Sequence, residues 1–321
     1  MPTALTPERT DVIRPYDYYR ANEWVAEKLS DVKATIETIE AYAKTRDARV
    51  FWRGQANHTW AFASSVVRKL SALTDVDDDV LQQVETNLLK EAADWIKELG
   101  AAPYVQPLAR LAYLQHHGVP TRLLDITSDP WMAAFFAADS MDDVDGRMFA
   151  LIVAQDAVLT KTPEGTPWYG YGKDEIKVYD PASDGIVFPR LAAQHGLFAI
   201  GRLPSTQPYR EALDPELSDR RRALLAEEVR RILSIPFALS PLKGVGETDR
   251  IPTGASLPIG LTFRVHVDKA SIRRDLAGAG AGFRCSPTGT TITHRTVYPD
   301  ISGMVTFSKV MRGLERGVLI G

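Results

Sequence analysis

Three stretches of the chain carry side chains whose types and spacing can do chemistry. Phe51-Trp52-Arg53-Gly54-Gln55 sets a guanidinium at the end of an apolar run and follows it with glycine. A phosphate can meet an arginine fork and a closely approaching backbone together at such a place. A surface arginine before a turn glycine has the same signature. Gln115-His116-His117-Gly118-Val119-Pro120-Thr121-Arg122-Leu123-Leu124-Asp125 is denser in polar and backbone-special residues. Asp125 can receive Arg53 or Arg122 in a bidentate pair and fix a guanidinium for a ligand. The plain alternative is a helix cap followed by a salt-bridged turn. Arg190-Leu191-Ala192-Ala193-Gln194-His195-Gly196-Leu197-Phe198 again ends a polar group in glycine and an aromatic. His195 closing a hydrogen-bonded turn is its structural explanation.

Other chemistries are poorly served. His116 and His117, adjacent on a helix, point about 100° apart and cannot chelate one metal from that turn. His58, His195, His266 and His294 are isolated in sequence, so no metal is expected. There is no G-x-S-x-G, no GxGxxG and no GxxxxGK[ST]. The single cysteine, Cys285, lies beside Arg284 in a Gly-rich loop. A lone loop thiol is more often inert than nucleophilic, and it excludes an internal disulfide, which fits a reducing compartment.

The elements that must position these residues are legible as periodicity and caps. A helix is expected over about 30–44, with Val32, Ile36, Ile39 and Ala43 on one face. Val50-Phe51-Trp52 has strand character. Helices follow at about 78–99, striped by Val84, Leu88, Trp95 and Leu99, and at about 107–116. Ser128 or Asp129 caps the next helix, with Pro130 in its first turn. Phe149 to Ala154 reads as a strand buried on both faces. Residues 155–187 read as an inserted loop region, and order returns over 188–200. A helix over about 218–233, a strand over about 261–267, a helix capped by Asp268, and a last helix from Asp300 complete the pass. Short strands separated by helices, without a regular βαβ repeat, make an α+β pattern.

Composition sets the outer bounds. With 321 residues, 45% apolar and 25% charged, the chain can bury a full core and is not disordered as a whole. A net charge of −3 argues against a dedicated DNA coat without excluding a local basic groove. Neither a signal-peptide pattern nor an apolar run of membrane-spanning length is present, so the cytoplasm is expected and no membrane partner. The expected organisation is an irregular arm at 1–20, a core domain at 21–202, and a C-terminal extension at 203–321 that packs on or completes the core.

Taken together, the motifs resemble the FRG domain, named for a Phe-Arg-Gly signature. The usual pattern is an "RGQ", then "QHxGxPTRLLDWT", then a helix rich in Ala and Phe, here Pro130-Trp131-Met132-Ala133-Ala134-Phe135-Phe136-Ala137. Arg190 to Phe198 looks like the family's later "R-x-x-x-Q-x-G-x-F", and Tyr298-Pro299-Asp300-Ile301-Ser302-Gly303 like its terminal "FPDLDG". The chain departs in having Phe51-Trp52 where one aromatic is usual, Ile126 for the common Trp, and a Gly-rich insertion before Tyr298. Members occur in bacterial and phage proteins linked to toxin systems and phage defence, which implies an antitoxin or defence-system partner.

The order of the motifs is also similar to that of ADP-ribosyltransferases. In those enzymes an aromatic-Arg-Gly strand binds NAD, a second strand leads into an Ala/Phe helix, and a third supplies a catalytic acid. The resemblance implies a mixed central sheet flanked by helices, with a helical N-terminal segment and a C-terminal extension. It implies NAD as substrate and a nucleic-acid or protein acceptor. Arg53, Asp125 and Gln194 then take the catalytic positions. Trp52, Arg53, Gly54, Gln55, His116, His117, Thr121, Arg122 and Thr127 are the NAD contacts. Gln194 is not an acid, so Asp125 would stabilise the cation, or the acceptor would react unaided. Glu227, Glu228 and Glu315 are expected on solvated faces. Arg68, Arg110, Arg122 and Arg220 to Arg222 could line a path for a polyanion. Two rivals remain: a non-catalytic nucleotide or nucleic-acid sensor using Arg53, Arg122 and His116 with Trp52 or Trp60 for stacking, and a hydrolase using His117 and Asp125.

Overall fold

The computed structural model describes residues 23–98, 106–186, 188–204, 226–242, 256–266, 268–278 and 291–299. In chain order the elements are β1 (Val25–Ala26), α1 (Leu29–Lys44), β2 (Ala48–Gln55), α2 (Ser65–Ser71), α3 (Asp78–Glu98), α4 (Pro107–His116), β3 (Leu124–Thr127), α5 (Pro130–Ala138), β4 (Gly146–Ala154), β5 (Val158–Leu159), β6 (Ile176–Tyr179), α6 (Pro189–Ala193), β7 (Gly196–Gly201), α7 (Ala226–Ile232), β8 (Ala238–Pro241), β9 (Ile259–Val265), α8 (Lys269–Leu276) and α9 (His294–Val297). The class is α+β, as the sequence pattern implies.

The strands form one mixed sheet in the order β1-β9-β4-β2-β3-β7-β6-β5, with β8 running beside β1 along β9. Apolar runs make its centre. β4 buries every residue from Gly146 to Val153, and β9 all but Arg264, because both sheet faces are covered there. On one face α1 places Val32, Ile36 and Ile39 against Trp52, Leu261 and Phe263, together with α5. On the other, Phe51, Phe149 and Leu151 meet Phe62 and the α7 residues Val229 and Ile232. A third cluster joins α4 through Leu108 and Leu111 to Trp168, Tyr179, Phe198 and Ile200.

α5 is seated unusually close to the sheet. Asp129 caps it by accepting from the Trp131 amide at 2.9 Å, and Pro130 opens its first turn. Its Ala133 and Ala137 backbone lies directly on β2 and β4. A Cβ on Gly54 would stand 1.8 Å from the Ala133 carbonyl oxygen, and one on Gly146 2.2 Å from that of Ala137. The glycines therefore let helix backbone touch sheet backbone. At Gly54 this corrects the sequence expectation that the missing Cβ makes room for a ligand: α5 takes that space.

Two other expectations need correction. Residues 155–187 are not a plain loop, since β5 and β6 extend the sheet and Trp168 is fully buried. The stripe of α3 is shifted: Leu81, Glu85, Leu89 and Ala92 are buried, Val84 and Leu88 are half-buried, and Trp95 is 69% exposed. A count of apolar residues passes over Glu85, whose charge is buried because it is paired. The proposed helix from Asp300, the Gly-rich loop beyond Gly278, Cys285, Glu315 and the arginines 220–222 lie outside the described residues. Among the described residues, no helix is long and apolar enough to cross a membrane.

The close seat of α5 makes a direct prediction. Gly54→Ala lowers unfolding free energy by about 1–3 kcal/mol or more, read as a shifted urea midpoint. Gly170→Ala, where an added Cβ meets nothing within 4 Å, stays within about 0.5 kcal/mol of the parent. Equal midpoints for the two variants contradict the packing described.

Candidate functional site

The ladder opens at the middle of the sheet. β2 and β4 are in register over eight pairs, from Ala48↔Ala154 to Gln55↔Arg147, whereas β2 and β3 meet at the single pair Trp52↔Thr127. A cleft of about 320 Å³ lies at this opening. That is the lower end of the range that holds small ligands, roughly 300–1,000 Å³. Arg53, Asp125 and Gln194 all line it, as do Trp52, Gly54, His116 and Thr127.

Alternation along the strands puts Arg53 on the face of Phe51, and Asp125 with Thr127 on the face of Trp52. They meet through the gap. Arg53 Nη1 donates to the Asp125 carbonyl oxygen at 2.6 Å and lies 3.9 Å from its Oδ2. The expected bidentate pair with the Asp125 carboxylate does not form, because the guanidinium engages the backbone of β3 instead. Its face rests on the Phe62 ring, 5.9 Å from the centroid. Its Nε is buried and meets no acceptor among the described residues. Burial pushes the Arg53 pKa down, with Asp125 opposing and Arg68 adding to the shift. An arginine remains a cation under that pressure, so the site holds a poorly hydrated positive charge.

Asp125 points outward, its side chain 57% exposed. Gln115 Nε2 donates to its Oδ2 at 3.0 Å, and Thr121 Oγ1 donates to Gln115 Oε1 at 2.8 Å. The segment between α4 and β3 is thus a relay that fixes one carboxylate. Gly118, at φ +83°, supplies the left-handed turn that brings the chain back after α4. Thr127 gives its hydroxyl proton to the Gln194 carbonyl at 2.8 Å and accepts from the Asp129 amide, so it ties β3 to the end of α6 and is already engaged. Gln194 Nε2 donates to the Val297 carbonyl at 3.2 Å.

Several expected contacts lie elsewhere. Arg122 is buried away from the cleft: its Nε donates to Glu85 Oε2 at 2.6 Å, its Nη1 to the Gly201 carbonyl, and its face covers the Tyr169 ring. Side chains only 2% and 3% exposed make this a structural ion pair. Gln55 is buried and donates to the Ala61 carbonyl. Thr121 is buried and acts through Gln115. His117 caps α4 and packs on Tyr113. None of the four lines the cleft. Arg68 and Arg110 donate to the carbonyls of Ala63 and Leu89, which anchors them to backbone rather than along a polyanion path. Trp60 is half exposed and apart from the cleft. Among the described residues no group of His, Cys, Asp or Glu could hold a metal ion.

Other walls escaped the sequence-derived set. Arg190, Phe136, Phe198 and Tyr298 line the cleft with Gln115. Tyr298 is held by stacking on His294, by an edge contact with Phe136, and by a 3.4 Å hydrogen bond from its hydroxyl to Asp139 Oδ2. Burial, reinforced by Asp139, pushes the phenol pKa up and keeps it a neutral donor. His294 Nε2 in turn lies 2.6 Å from Asp139 Oδ1. The quoted motif around Tyr298 was the available signal, but its distance along the chain hid the contact.

Removing Arg122 is predicted to act on stability. Arg122→Ala leaves Glu85 buried without its cation and costs about 3–5 kcal/mol in chemical denaturation. A variant of wild-type stability with altered ligand affinity is the contrary result.

A family model, the FRG domain, matches residues 48–146. Neither the curated proteins nor the solved structures gave a match. The matched segment carries Trp52, Arg53, Gln115, Asp125 and Phe136, while Arg190, Gln194, Phe198 and Tyr298 of the same cleft come from beyond it.

Proposed function

We propose, starting from this FRG domain and its cleft, that the protein cleaves NAD and transfers ADP-ribose, acting as a toxin or phage-defence effector. The observation that carries the proposal is the meeting of Arg53, Asp125 and Gln194 in one cleft at the opened ladder. A cation partly stripped of water, an outward carboxylate and an aromatic wall suit a ligand that combines phosphate, ribose and a planar ring.

In this mechanism Arg53, which lines the cleft, neutralises the pyrophosphate of NAD with its guanidinium charge. The nicotinamide C–N bond breaks and its electron pair leaves with nicotinamide. The ribose carbon becomes oxocarbenium-like, and the Asp125 carboxylate, oriented by Gln115, stabilises that charge. An acceptor nucleophile on nucleic acid or protein then forms the new bond and gives up its proton to Asp125 or water. With water as nucleophile the same step is NAD hydrolysis. Gln194, bonded to Val297, orders the wall rather than supplying an acid.

A non-catalytic nucleotide sensor uses the same cationic cleft and is separated by one assay. Nicotinamide release from NAD is followed by chromatography, with and without nucleic acid. The transferase reading predicts release that falls about 100-fold or more in Arg53→Ala and in Asp125→Asn, and that persists in Cys285→Ser. Nucleotide binding without any release favours the sensor.

A further inference from the structure

Gln194 carries a polar atom that the hydrogen bonds of the cleft wall leave unused. Its side chain is half-buried and lines the cleft. Chemistry fixes which way the amide faces. A backbone carbonyl can only accept, so the end that meets the Val297 carbonyl at 3.2 Å must be the nitrogen. The oxygen Oε1 is therefore turned away from Val297, and among the described residues it accepts no hydrogen bond. This also gives a reason for glutamine at the position, because a carboxylate in its place could not donate to Val297.

The neighbours of Gln194 place this oxygen at one end of the cleft. Its backbone carbonyl accepts from Thr127, and Thr127 pairs with Trp52 across the strands. Its side-chain partner Val297 precedes Tyr298, which meets Phe136 edge-on at 6.4 Å. Trp52, Phe136 and Tyr298 all line the cleft, so Gln194 stands among aromatic walls. Asp125 lies two residues from Thr127 on the same face of β3, roughly 6.6 Å along the strand, with Gln115 beside it. The lining thus divides into a carboxylate end and an aromatic end that holds a neutral acceptor. An open carbonyl oxygen recognises a donor. A planar ring bearing an N–H at its edge suits both the aromatic walls and Oε1. A ring edged with a carboxylate brings only acceptors, and its oxygens would lose water with nothing from Oε1 in return.

We propose that Gln194 is a specificity-determining residue that reads the ring carboxamide of the ligand through Oε1, so that the cleft takes a pyridine carboxamide and rejects the matching pyridine carboxylate. The inference rests on the NAD reading given above and names the group of NAD that Gln194 touches. One amide then serves twice: Nε2 holds the chain beside Tyr298, and Oε1 faces the ring. Arg190 is the opposing influence. Its guanidinium lies 5.8 Å from the Tyr298 ring centroid in the same lining and would draw a carboxylate, so the sign of the preference decides which residue reads the ring.

Isothermal titration of the full chain tests this with the carbocyclic analogue of NAD, whose bond to nicotinamide resists cleavage, and with its nicotinate counterpart. ADP-ribose, which lacks the ring, is the reference ligand. The wild type is expected to bind the carboxamide about tenfold or more tightly than the carboxylate, the scale of one polar group left unsatisfied on burial. Gln194→Met, which keeps the length and removes the amide, brings the two within about twofold, while ADP-ribose affinity changes by less than about threefold. Gln194→Glu gives up the bond to Val297 but keeps an acceptor, and so keeps the preference for the carboxamide. Thermal unfolding checks each variant, and Gln194→Leu replaces Gln194→Met if the latter unfolds. Equal or inverted affinities in the wild type, an equal loss of all three ligands in Gln194→Met, or no binding of either analogue each overturn the proposal. A preference that depends on Gln194, with no nicotinamide release from NAD, leaves this inference standing and removes the transferase reading alone. Nicotinamide release with a preference indifferent to Gln194 does the reverse.

Discussion

A guanidinium placed where two central strands part is the interaction on which the site depends. Arg53 bonds the Asp125 carbonyl across the opening between β2 and β3, where backbone pairing has stopped. An unpaired carbonyl in a sheet interior is costly unless a donor reaches it. Arg53 supplies that donor and keeps a cation in a place water reaches poorly. Fold and site are therefore coupled: the gap needs the arginine, and the arginine gains its poorly hydrated setting from the gap. The close seat of α5 on Gly54 fixes β2 next to this point, so packing on one side of Arg53 constrains its geometry on the other.

The remaining walls are arranged by short hydrogen-bond relays. Thr121 orients Gln115, and Gln115 orients Asp125. Thr127 fixes the Gln194 backbone, and the Gln194 side chain holds Val297 beside Tyr298. Hydrogen bonds among polar residues in and behind the cleft wall thus decide where the cleft-lining groups stand. Such supporting contacts hold catalytic and binding groups to the tolerance that chemistry requires. Charge is handled differently. Arg122 and Glu85 neutralise each other in the interior, whereas Arg53 lines the cleft.

Much of the scaffold was legible because its signals are local. The α4 boundaries, the Asp129 cap with Pro130, and the doubly buried β4 follow from proline, cap chemistry and apolar runs. β5 and β6 were hidden because they are short and embedded among Gly, Pro and Asp. The face of α3 was misread because Glu85, a charge, belongs to it. In the site, residue type brought Arg53 and Asp125 forward and the family resemblance added Gln194, and these do share a cleft. Spacing could not tell which of two motif arginines faces it. Arg122 turns inward because a carboxylate 37 residues earlier in the chain awaits it, and that contact is tertiary. Arg190 and Tyr298 meet only through folding, 108 residues apart in the sequence numbering.

The central claim is that Arg53 grips an anionic dinucleotide in the opened ladder beside Asp125. A crystal structure with a hydrolysis-resistant NAD analogue tests it most directly. The account predicts density in the cleft, a phosphate oxygen within about 3 Å of the Arg53 guanidinium, and the ribose facing Asp125. An analogue bound elsewhere on the molecule, with Arg53 contacting only the β3 backbone, contradicts it.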